Sequence, residues 1–161
     1  MTRLHVEAEG TTGAAPEAVW ALIADARSYC RWGPWSGSGY QSQGDEGQGG
    51  AGAVRWMRYG RTSTVEKVLE VEHGRRMAYT VVTGMPVRNY RAEVTLSPAA
   101  AGTRIRWVAE WDRTLAGRVV HRKLRSVYPE IIAHLLAAAG RQRRPDVPAP
   151  AAPPGSLSPD R

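Results

Sequence analysis

Five strand-like runs joined by short turn-forming segments constrain the fold of this chain more than any other feature. The runs are Ala53 to Tyr59, Thr62 to Glu72, Arg76 to Thr83, Val87 to Ser97 and Thr103 to Asp112. Gly or Pro occurs in the connections that follow the second, third and fourth runs, as is typical of turns. A parallel sheet would need a crossover of a dozen or more residues between strands, and no segment here supplies one. The pattern therefore predicts an antiparallel meander.

Further elements flank the meander. Leu4, Val6 and Ala8 alternate with polar residues, which predicts a first strand, and a short strand is expected near Tyr40. Pro16 and Glu17 suit the first turn of a helix. A second short helical turn is expected to carry Tyr29 and Trp32 and to end at Gly33 and Pro34.

A long amphipathic helix closes the pattern. Apolar residues recur at spacings of three and four between 120 and 138, which predicts a helix of roughly twenty residues that ends at Gly140. Pro129 lies inside it and is expected to kink it or delay its start. Residues 1–140 then form one domain, and residues 141–161, rich in Pro and Arg, are expected to be a disordered tail.

These elements predict an α+β fold in which a curved antiparallel sheet of six to seven strands wraps around the long C-terminal helix, with two short helices after the first strand. One helix cannot fill such a curved sheet. The sequence therefore predicts a cavity between the sheet and the helix.

Composition narrows the function classes. The 161 residues carry a formal net charge of +7, but the positive residues are mostly arginines spread along the chain, so we expect no nucleic-acid partner. No apolar run is long enough to span a bilayer, so we expect a cytoplasmic protein without stable membrane insertion, as a monomer or homodimer. The single Cys30 offers no disulfide partner or zinc pair and is expected to be a small buried residue. No phosphate-binding or metal motif is present, and we expect no cofactor and no metal.

Aromatic residues indicate what lines the cavity. The chain has six Trp and no Phe. Trp is rarely buried completely, so several of them in a small domain favour a partly open aromatic space. Strand alternation places Trp107 and Trp111 on the inner face, with Tyr90 and Tyr79 from preceding strands. We expect the ligand-binding set to be Trp32, Trp35, Trp56, Tyr90, Trp107, Trp111, Tyr128, Ile131, His134 and Leu135.

The sequence determines less clearly which polar side chains face the cavity. The strand from Ala53 to Tyr59 has one arginine on each face, so either orientation brings an arginine to the cavity, and Arg58 is the candidate for a ligand carboxylate or enolate. Along the next strand the apolar set Val65, Leu69 and Val71 carries Lys67 inward, where it would serve as a base or an oxyanion partner. In the alternative, a bulge leaves Lys67 in solvent.

Tyr79 is the third catalytic candidate, because a tyrosine hydroxyl donates to a ligand carbonyl or phenol. Tyr90 and Tyr128 share this chemistry, although tyrosines are equally common as wall residues. His134 would be a proton shuttle near neutral pH, or a structural residue of the helix.

Four segments resemble the START-like (SRPBCC) helix-grip superfamily, in its polyketide cyclase/dehydrase and lipid transport branch. The segments are Ala15 to Trp20 leading to Asp25, Tyr29 to Trp35, Gly74 to Tyr79 and Gly102 to Trp107, and the resemblance covers about residues 3 to 140. It implies a helix-grip fold with a hydrophobic ligand between the sheet and the last helix. Some members catalyse cyclisation, aromatisation or dehydration there.

The resemblance implies that the chain binds an aromatic or polyketide-like molecule, and favours cofactor-free cyclisation or dehydration. The alternative is a non-catalytic carrier or sensor of lipids or hydrophobic metabolites. Cyclase members place arginine on inner strands, and at the inner end of the Thr62 to Glu72 strand this chain has Leu69, which favours the alternative.

Overall fold

A computed structural model of the chain describes residues 2–142. The strands are β1 (Arg3–Thr12), β2 (Gly37–Ser42), β3 (Val54–Tyr59), β4 (Thr62–Glu72), β5 (Arg76–Thr83), β6 (Arg91–Ala99) and β7 (Gly102–Asp112). The helices are α1 (Pro16–Ala24), α2 (Tyr29–Trp32) and α3 (Leu115–Gln142), with a 3₁₀ turn at Ala26–Ser28 between α1 and α2. This α+β helix-grip arrangement confirms the fold expected from the sequence.

All seven strands form one antiparallel sheet in the order β1-β7-β6-β5-β4-β3-β2. Strands β2 to β7 follow each other in space as they do in sequence, and β1 returns to pair with β7 over its whole length. The turns after β3, β4 and β5 contain Gly60, Gly74 and Gly84, all with positive φ. The short connections therefore set the meander.

Hydrogen bonds hold the two short helices at one end of the sheet. The Tyr29 hydroxyl donates to the Ile23 carbonyl at 2.6 Å, and Trp32 Nε1 donates to the Leu22 carbonyl at 3.2 Å. From β2, the Tyr40 hydroxyl donates to the Ala24 carbonyl at 2.9 Å and accepts the Ala26 amide at 3.0 Å. The segment after α1 is thereby fixed beside the inner face of the sheet.

Helix α3 packs mainly against β1, with fewer contacts to β7. A glycine permits its close approach, since a Cβ atom at Gly10 would lie 2.7 Å from Leu136 Cδ1. The helix thus lies over one side of the sheet and leaves space above the inner faces of β3, β4 and β5. This offset positions the site described below.

Some boundaries differ from the sequence expectation. Helix α3 begins at Leu115, includes Pro129 and continues past Gly140. Strand β6 starts at Arg91 because Asn89 adopts a left-handed conformation, with φ of 52°, that interrupts the strand. Most of the expected disordered tail lies outside the described residues. No helix within residues 2–142 combines the length and the apolar character needed to cross a membrane.

Candidate functional site

A cavity of about 290 Å³ lies between α3 and the inner faces of β3, β4 and β5. Its mouth is bordered by the end of the β3–β4 hairpin, by the 84–86 loop and by the N-terminal part of α3. Its walls are mostly apolar or aromatic. They comprise Tyr29, Trp35, Arg55, Met57, Tyr59, Thr62, Thr64, Glu66, Tyr79, Gly84, Met85, Pro86, Tyr90, Trp107, Val119, Val120, Lys123, Leu124, Val127, Tyr128 and Ile131.

The cavity wall contains a buried ion pair. Arg55 and Glu66 are register partners on β3 and β4, and both side chains face inward. The exposed fraction is 2% for the Arg55 side chain and 9% for the Glu66 side chain. Arg55 donates to Glu66 Oε2 from Nε at 3.0 Å and from Nη2 at 2.8 Å. Charges this deeply buried persist in proteins when they are paired and hydrogen-bonded.

Other side chains complete the surroundings of Arg55. Its Nη1 donates to the Tyr29 hydroxyl at 2.8 Å and contacts Met77 Sδ at 3.4 Å. Its guanidinium carbon lies 4.4 Å from the centre of the Tyr79 ring, a cation–π arrangement. Four of the five guanidinium N–H groups are therefore directed at protein atoms. Arg55 is held rigidly in one orientation.

The carboxylate of Glu66 is in an unusual environment. Burial raises its pKa above the usual value for Glu, and the charge and hydrogen bonds of Arg55 oppose that rise. Arginine remains protonated at any physiological pH. The wall thus presents a fixed cation with a carboxylate whose affinity for a proton is increased.

Three tyrosines supply hydroxyl groups to the cavity. The hydroxyls of Tyr90 and Tyr128 are hydrogen-bonded at 2.8 Å, and the Tyr79 hydroxyl accepts from Trp107 Nε1 at 2.9 Å. Burial raises the pKa of each of these phenols well above the usual 10.0. All three are therefore neutral near pH 7, where they donate or accept hydrogen bonds but do not act as tyrosinate bases.

Two contacts connect α3 to the β3–β4 hairpin across the mouth. The Tyr59 hydroxyl donates to Glu130 Oε2 at 2.7 Å, and Lys123 Nζ donates to Thr62 Oγ1 at 3.3 Å. The Lys123 ammonium also lies 5.4 Å from the centre of the Tyr59 ring. These contacts set the position of the hairpin relative to the helix at the opening.

Six of the residues predicted from the sequence line the cavity. They are Trp35, Tyr79, Tyr90, Trp107, Tyr128 and Ile131. Tyr79, Trp107, Tyr128 and Ile131 come from strands or a helix with clear apolar periodicity, Trp35 from the aromatic segment after α2, and Tyr90 from the residue just before β6. The structure brings them together around one space.

The inward placement of Lys67, Arg58 and Trp56 was wrong. Lys67 and Arg58 are exposed on the outer face of the sheet, and Trp56 is half-buried on that same face. A Cβ at Gly39 would lie 3.1 Å from Trp56 Nε1, so the indole covers β2 where no side chain competes. Trp56 is therefore an apolar residue of β3 that packs on the outer face of the sheet and not in the cavity.

Lys67 was placed inward because the sequence pattern assigned the wrong set of alternating β4 residues to the inner face. The inner residues are Thr64, Glu66 and Val68, while Leu69 is 37% exposed. The pairing of β4 with β5 shifts twice, between Val65 and Glu66 and between Val68 and Glu70. These irregularities break the alternation that the sequence pattern assumed, as the bulge alternative anticipated for Lys67.

The remaining predicted residues lie elsewhere. Trp32, Trp111 and Leu135 are buried in the core but do not line the cavity, and His134 is exposed. Trp111 Nε1 donates a hydrogen bond to the Gly117 carbonyl at 3.1 Å. Cys30 is exposed, contrary to the expected buried position.

The sequence interpretation left the orientation of β3 open and chose Arg58 as the candidate, whereas the structure places Arg55 inward. It missed Glu66 and Tyr29. A signal was available for the pair of Arg55 and Glu66. The Gly60-Arg61 turn pairs Tyr59 with Thr62, and counting back along this register places Arg55 opposite Glu66. Opposite charges in directly facing positions stabilise strand pairs. Nothing in the sequence indicated that this pair is buried rather than exposed.

Within residues 2–142 no three His, Cys, Asp or Glu side chains lie together so that they could hold a metal ion. The ionisable groups that line this cavity are the Arg55 guanidinium, the Glu66 carboxylate, several phenols and, at the mouth, the Lys123 ammonium.

Comparison with known proteins agrees with this architecture. The family model described as polyketide cyclase/dehydrase and lipid transport matches residues 3–140. None of the curated protein sequences matches the chain.

Three solved structures illustrate the likeness of fold. A protein from Nitrosospira multiformis has 20% identity and a TM-score of 0.72, with 88% of this chain and 100% of that chain covered. An aromatase/cyclase from a Streptomyces species has 19% identity and a TM-score of 0.71, with coverage of 89% and 97%. A protein from Thermobifida fusca has 23% identity and a TM-score of 0.69, with coverage of 89% and 96%.

The sheet, the long helix and the mostly apolar cavity between them together define a helix-grip domain with a ligand-binding architecture. The chain belongs to the polyketide cyclase/dehydrase and lipid transport family.

Proposed function

We propose that the protein binds an aromatic, polyketide-like small molecule in the cavity and promotes a cofactor-free cyclisation or dehydration of it. The observation that carries this proposal is an apolar aromatic cavity with the Arg55–Glu66 pair and the hydroxyl of Tyr79 in its wall. Apolar walls with a few polar groups at fixed positions are typical of small-molecule sites.

The cavity volume supports a ligand of modest size. At about 290 Å³ it is about twice the roughly 150 Å³ that holds one benzene ring. Two fused rings, or a short chain folded to that size, fit the space. The rings of Trp35, Trp107 and Tyr79 line the space, which favours an aromatic ligand over a long flexible one.

The polar groups support acid/base chemistry. Tyr79 and Glu66 both line the cavity. In the proposed reaction the Tyr79 hydroxyl donates to a ligand carbonyl, and the Glu66 carboxylate accepts a proton from an adjacent carbon or hydroxyl. Dehydration of a β-hydroxy ketone needs only these steps: Glu66 takes a proton from the carbon next to the carbonyl, the electron pair of that C–H bond forms the double bond, and the hydroxyl leaves as water with the proton that Glu66 returns to it. Polar groups held at fixed positions in a mostly apolar cavity favour that sequence.

Binding is tested with a two-ring aromatic probe and a pair of matched Val→Phe variants. Val127 is a buried cavity residue of α3, so Val127→Phe fills the cavity, whereas Val82 is 54% exposed and lies outside it. We expect 2-naphthol to quench Trp fluorescence in the wild type and in Val82→Phe, with at least a tenfold weaker affinity in Val127→Phe. Equal affinity in both variants would contradict binding at this site.

Turnover is tested with 4-hydroxy-4-phenylbutan-2-one, whose dehydration product is a conjugated enone with strong ultraviolet absorbance. We expect acceleration by the wild type, a loss of at least tenfold in Tyr79→Phe, and no change in Lys67→Met. Lys67 is the control because it is an exposed side chain on the opposite face of the sheet.

The second candidate function is a non-catalytic carrier of hydrophobic metabolites. It is favoured by the commitment of four Arg55 N–H groups to protein atoms, which leaves the guanidinium little capacity to stabilise a developing negative charge. A carrier would bind 2-naphthol with the variant dependence given above and would not accelerate dehydration.

A further inference from the structure

One oxygen of the buried Glu66 carboxylate is engaged and the other is not. Both hydrogen bonds from Arg55 end on Oε2. No donor from residues 2–142 reaches Oε1 within hydrogen-bonding distance. Every fully buried side-chain oxygen and nitrogen in that part of the chain has a partner, so Oε1 is not fully buried. Since Glu66 lines the cavity, Oε1 is accessible from the cavity.

The guanidinium of Arg55 has few free N–H donors for a ligand in the cavity. Four of its five N–H groups point to Glu66, Tyr29 and Met77, and its face lies against the Tyr79 ring. The other cation in the cavity lining, Lys123, lies at the mouth, where it is exposed and bonded to Thr62. The inner wall therefore holds an unused strong acceptor and almost no unused cationic donor.

A ligand that binds here must therefore supply a hydrogen-bond donor and carry no negative charge. A hydroxyl group that donates to Oε1 satisfies a buried acceptor, and hydrogen bonds to charged groups are among the stronger ones. A ligand carboxylate would instead be desolvated beside Glu66 with no free cation to pair with it. Like charges at close range in a desolvated site repel strongly.

On the basis of the proposed function, we infer that Glu66 makes this cavity selective for neutral aromatic ligands that carry a hydroxyl donor, namely phenols and enols, and excludes carboxylates and other anions. Glu66 Oε1 accepts the hydroxyl hydrogen, and the aromatic walls hold the rings. Aromatic acids are therefore outside the ligand class, although their rings match the aromatic walls.

Three probes with one ring system test the inference on the intact chain. 2-Naphthol is neutral near pH 7 and has a donor, 2-methoxynaphthalene is neutral without a donor, and 2-naphthoate is an anion. Titration calorimetry is expected to give an affinity for 2-naphthol at least roughly tenfold above that for 2-methoxynaphthalene, with 2-naphthoate the weakest. Equal affinity for all three, or preferred binding of 2-naphthoate, would overturn the inference while leaving the proposed function intact. If none of the three binds, the proposed function itself fails.

A variant at Glu66 separates the effect of its negative charge on ligand selectivity from the effect of its size. Glu66→Gln keeps the size of the side chain and removes the negative charge, which leaves Arg55 without a counter-ion. We expect 2-naphthoate to gain at least tenfold relative to 2-naphthol, so that the preference reverses. Glu70→Gln is the matched control on the outer face, and it is expected to keep the wild-type order. A folded Glu66→Gln protein that also keeps this order would overturn the inference, and if that variant does not fold, the wild-type comparison of probes decides.

Discussion

Two clusters of arginine and glutamate on neighbouring strands have opposite environments. On the inner face, the pair of Arg55 and Glu66 is almost completely buried. On the outer face, Glu70 accepts from Arg76 at 2.7 Å and from Arg91 at 2.9 Å, with 31% to 47% of these side chains exposed. Both clusters have short N···O distances, but only one of them is removed from water.

The difference teaches what each cluster contributes. Exposed ion pairs contribute little to stability because water and salt screen them. A buried pair incurs a desolvation cost that its attraction repays only in good geometry, and removal of one partner leaves an uncompensated charge. The outer cluster covers a surface, whereas the inner pair constrains the interior and supplies the polar groups of the cavity.

The largest expected effect follows from removal of one inner partner. Arg55→Ala leaves the Glu66 carboxylate buried without its counter-ion and is expected to lower the free energy of unfolding by roughly 3–5 kcal/mol. Urea denaturation monitored by Trp fluorescence measures this. Arg58→Ala on the outer face of the same strand is the control, and a similar loss there would contradict the comparison.

Removal of both inner partners is expected to restore most of that stability. In Arg55→Met with Glu66→Leu no charge remains buried, and such replacements are often neutral or stabilising. The double variant is expected to unfold near the wild-type denaturant midpoint but to lose its preference for 2-naphthol over 2-methoxynaphthalene. A midpoint as low as that of Arg55→Ala would show that the charges are not the dominant cost.

The two glutamates are expected to titrate in opposite directions. Burial raises the pKa of Glu66 above 4.5, whereas hydrogen bonds from Arg76 and Arg91 lower the pKa of Glu70 below 4.5. The folded state therefore holds the Glu66 proton more tightly than the unfolded state does. The stabilisation from Glu66 is present below pH 4.5 and falls as the pH rises from 4.5 through the pKa of Glu66 in the folded state. The stabilisation from Glu70 is present above pH 4.5 and is lost as the pH falls through the pKa of Glu70 in the folded state.

Carboxyl carbon chemical shifts measured by NMR over a pH series test both directions. A Glu66 pKa below that of Glu70 would contradict the assignment.

The smallest effect is expected on the outer face. Glu70→Ala removes the acceptor of both Arg76 and Arg91, but all three groups remain hydrated. Its denaturant midpoint should differ from that of the wild type by only a small fraction of the shift in Arg55→Ala. Added salt should reduce the difference further. A midpoint shift comparable with that of Arg55→Ala would remove the distinction between the clusters.

The fold was predictable because its signals are local. Short turns between β4, β5, β6 and β7 exclude parallel crossovers, and the three- and four-residue apolar spacing defines α3. On β7, strict alternation placed Trp107 on the inner face. The site was less predictable, because bulges changed the phase of β4 and because Trp56 lies on the outer face, where its indole packs over the glycines of β2.

The sequence by itself determined the order of the elements, the antiparallel sheet and the family to which the chain belongs. Tertiary structure alone decided that α3 packs on β1 and leaves a cavity between itself and the inner faces of β3 to β5, and that Arg55 and Glu66 lie in the wall of that cavity. Alternation along a strand indicates which residues share a face, but burial of a charged pair depends on distant segments that exclude water from it.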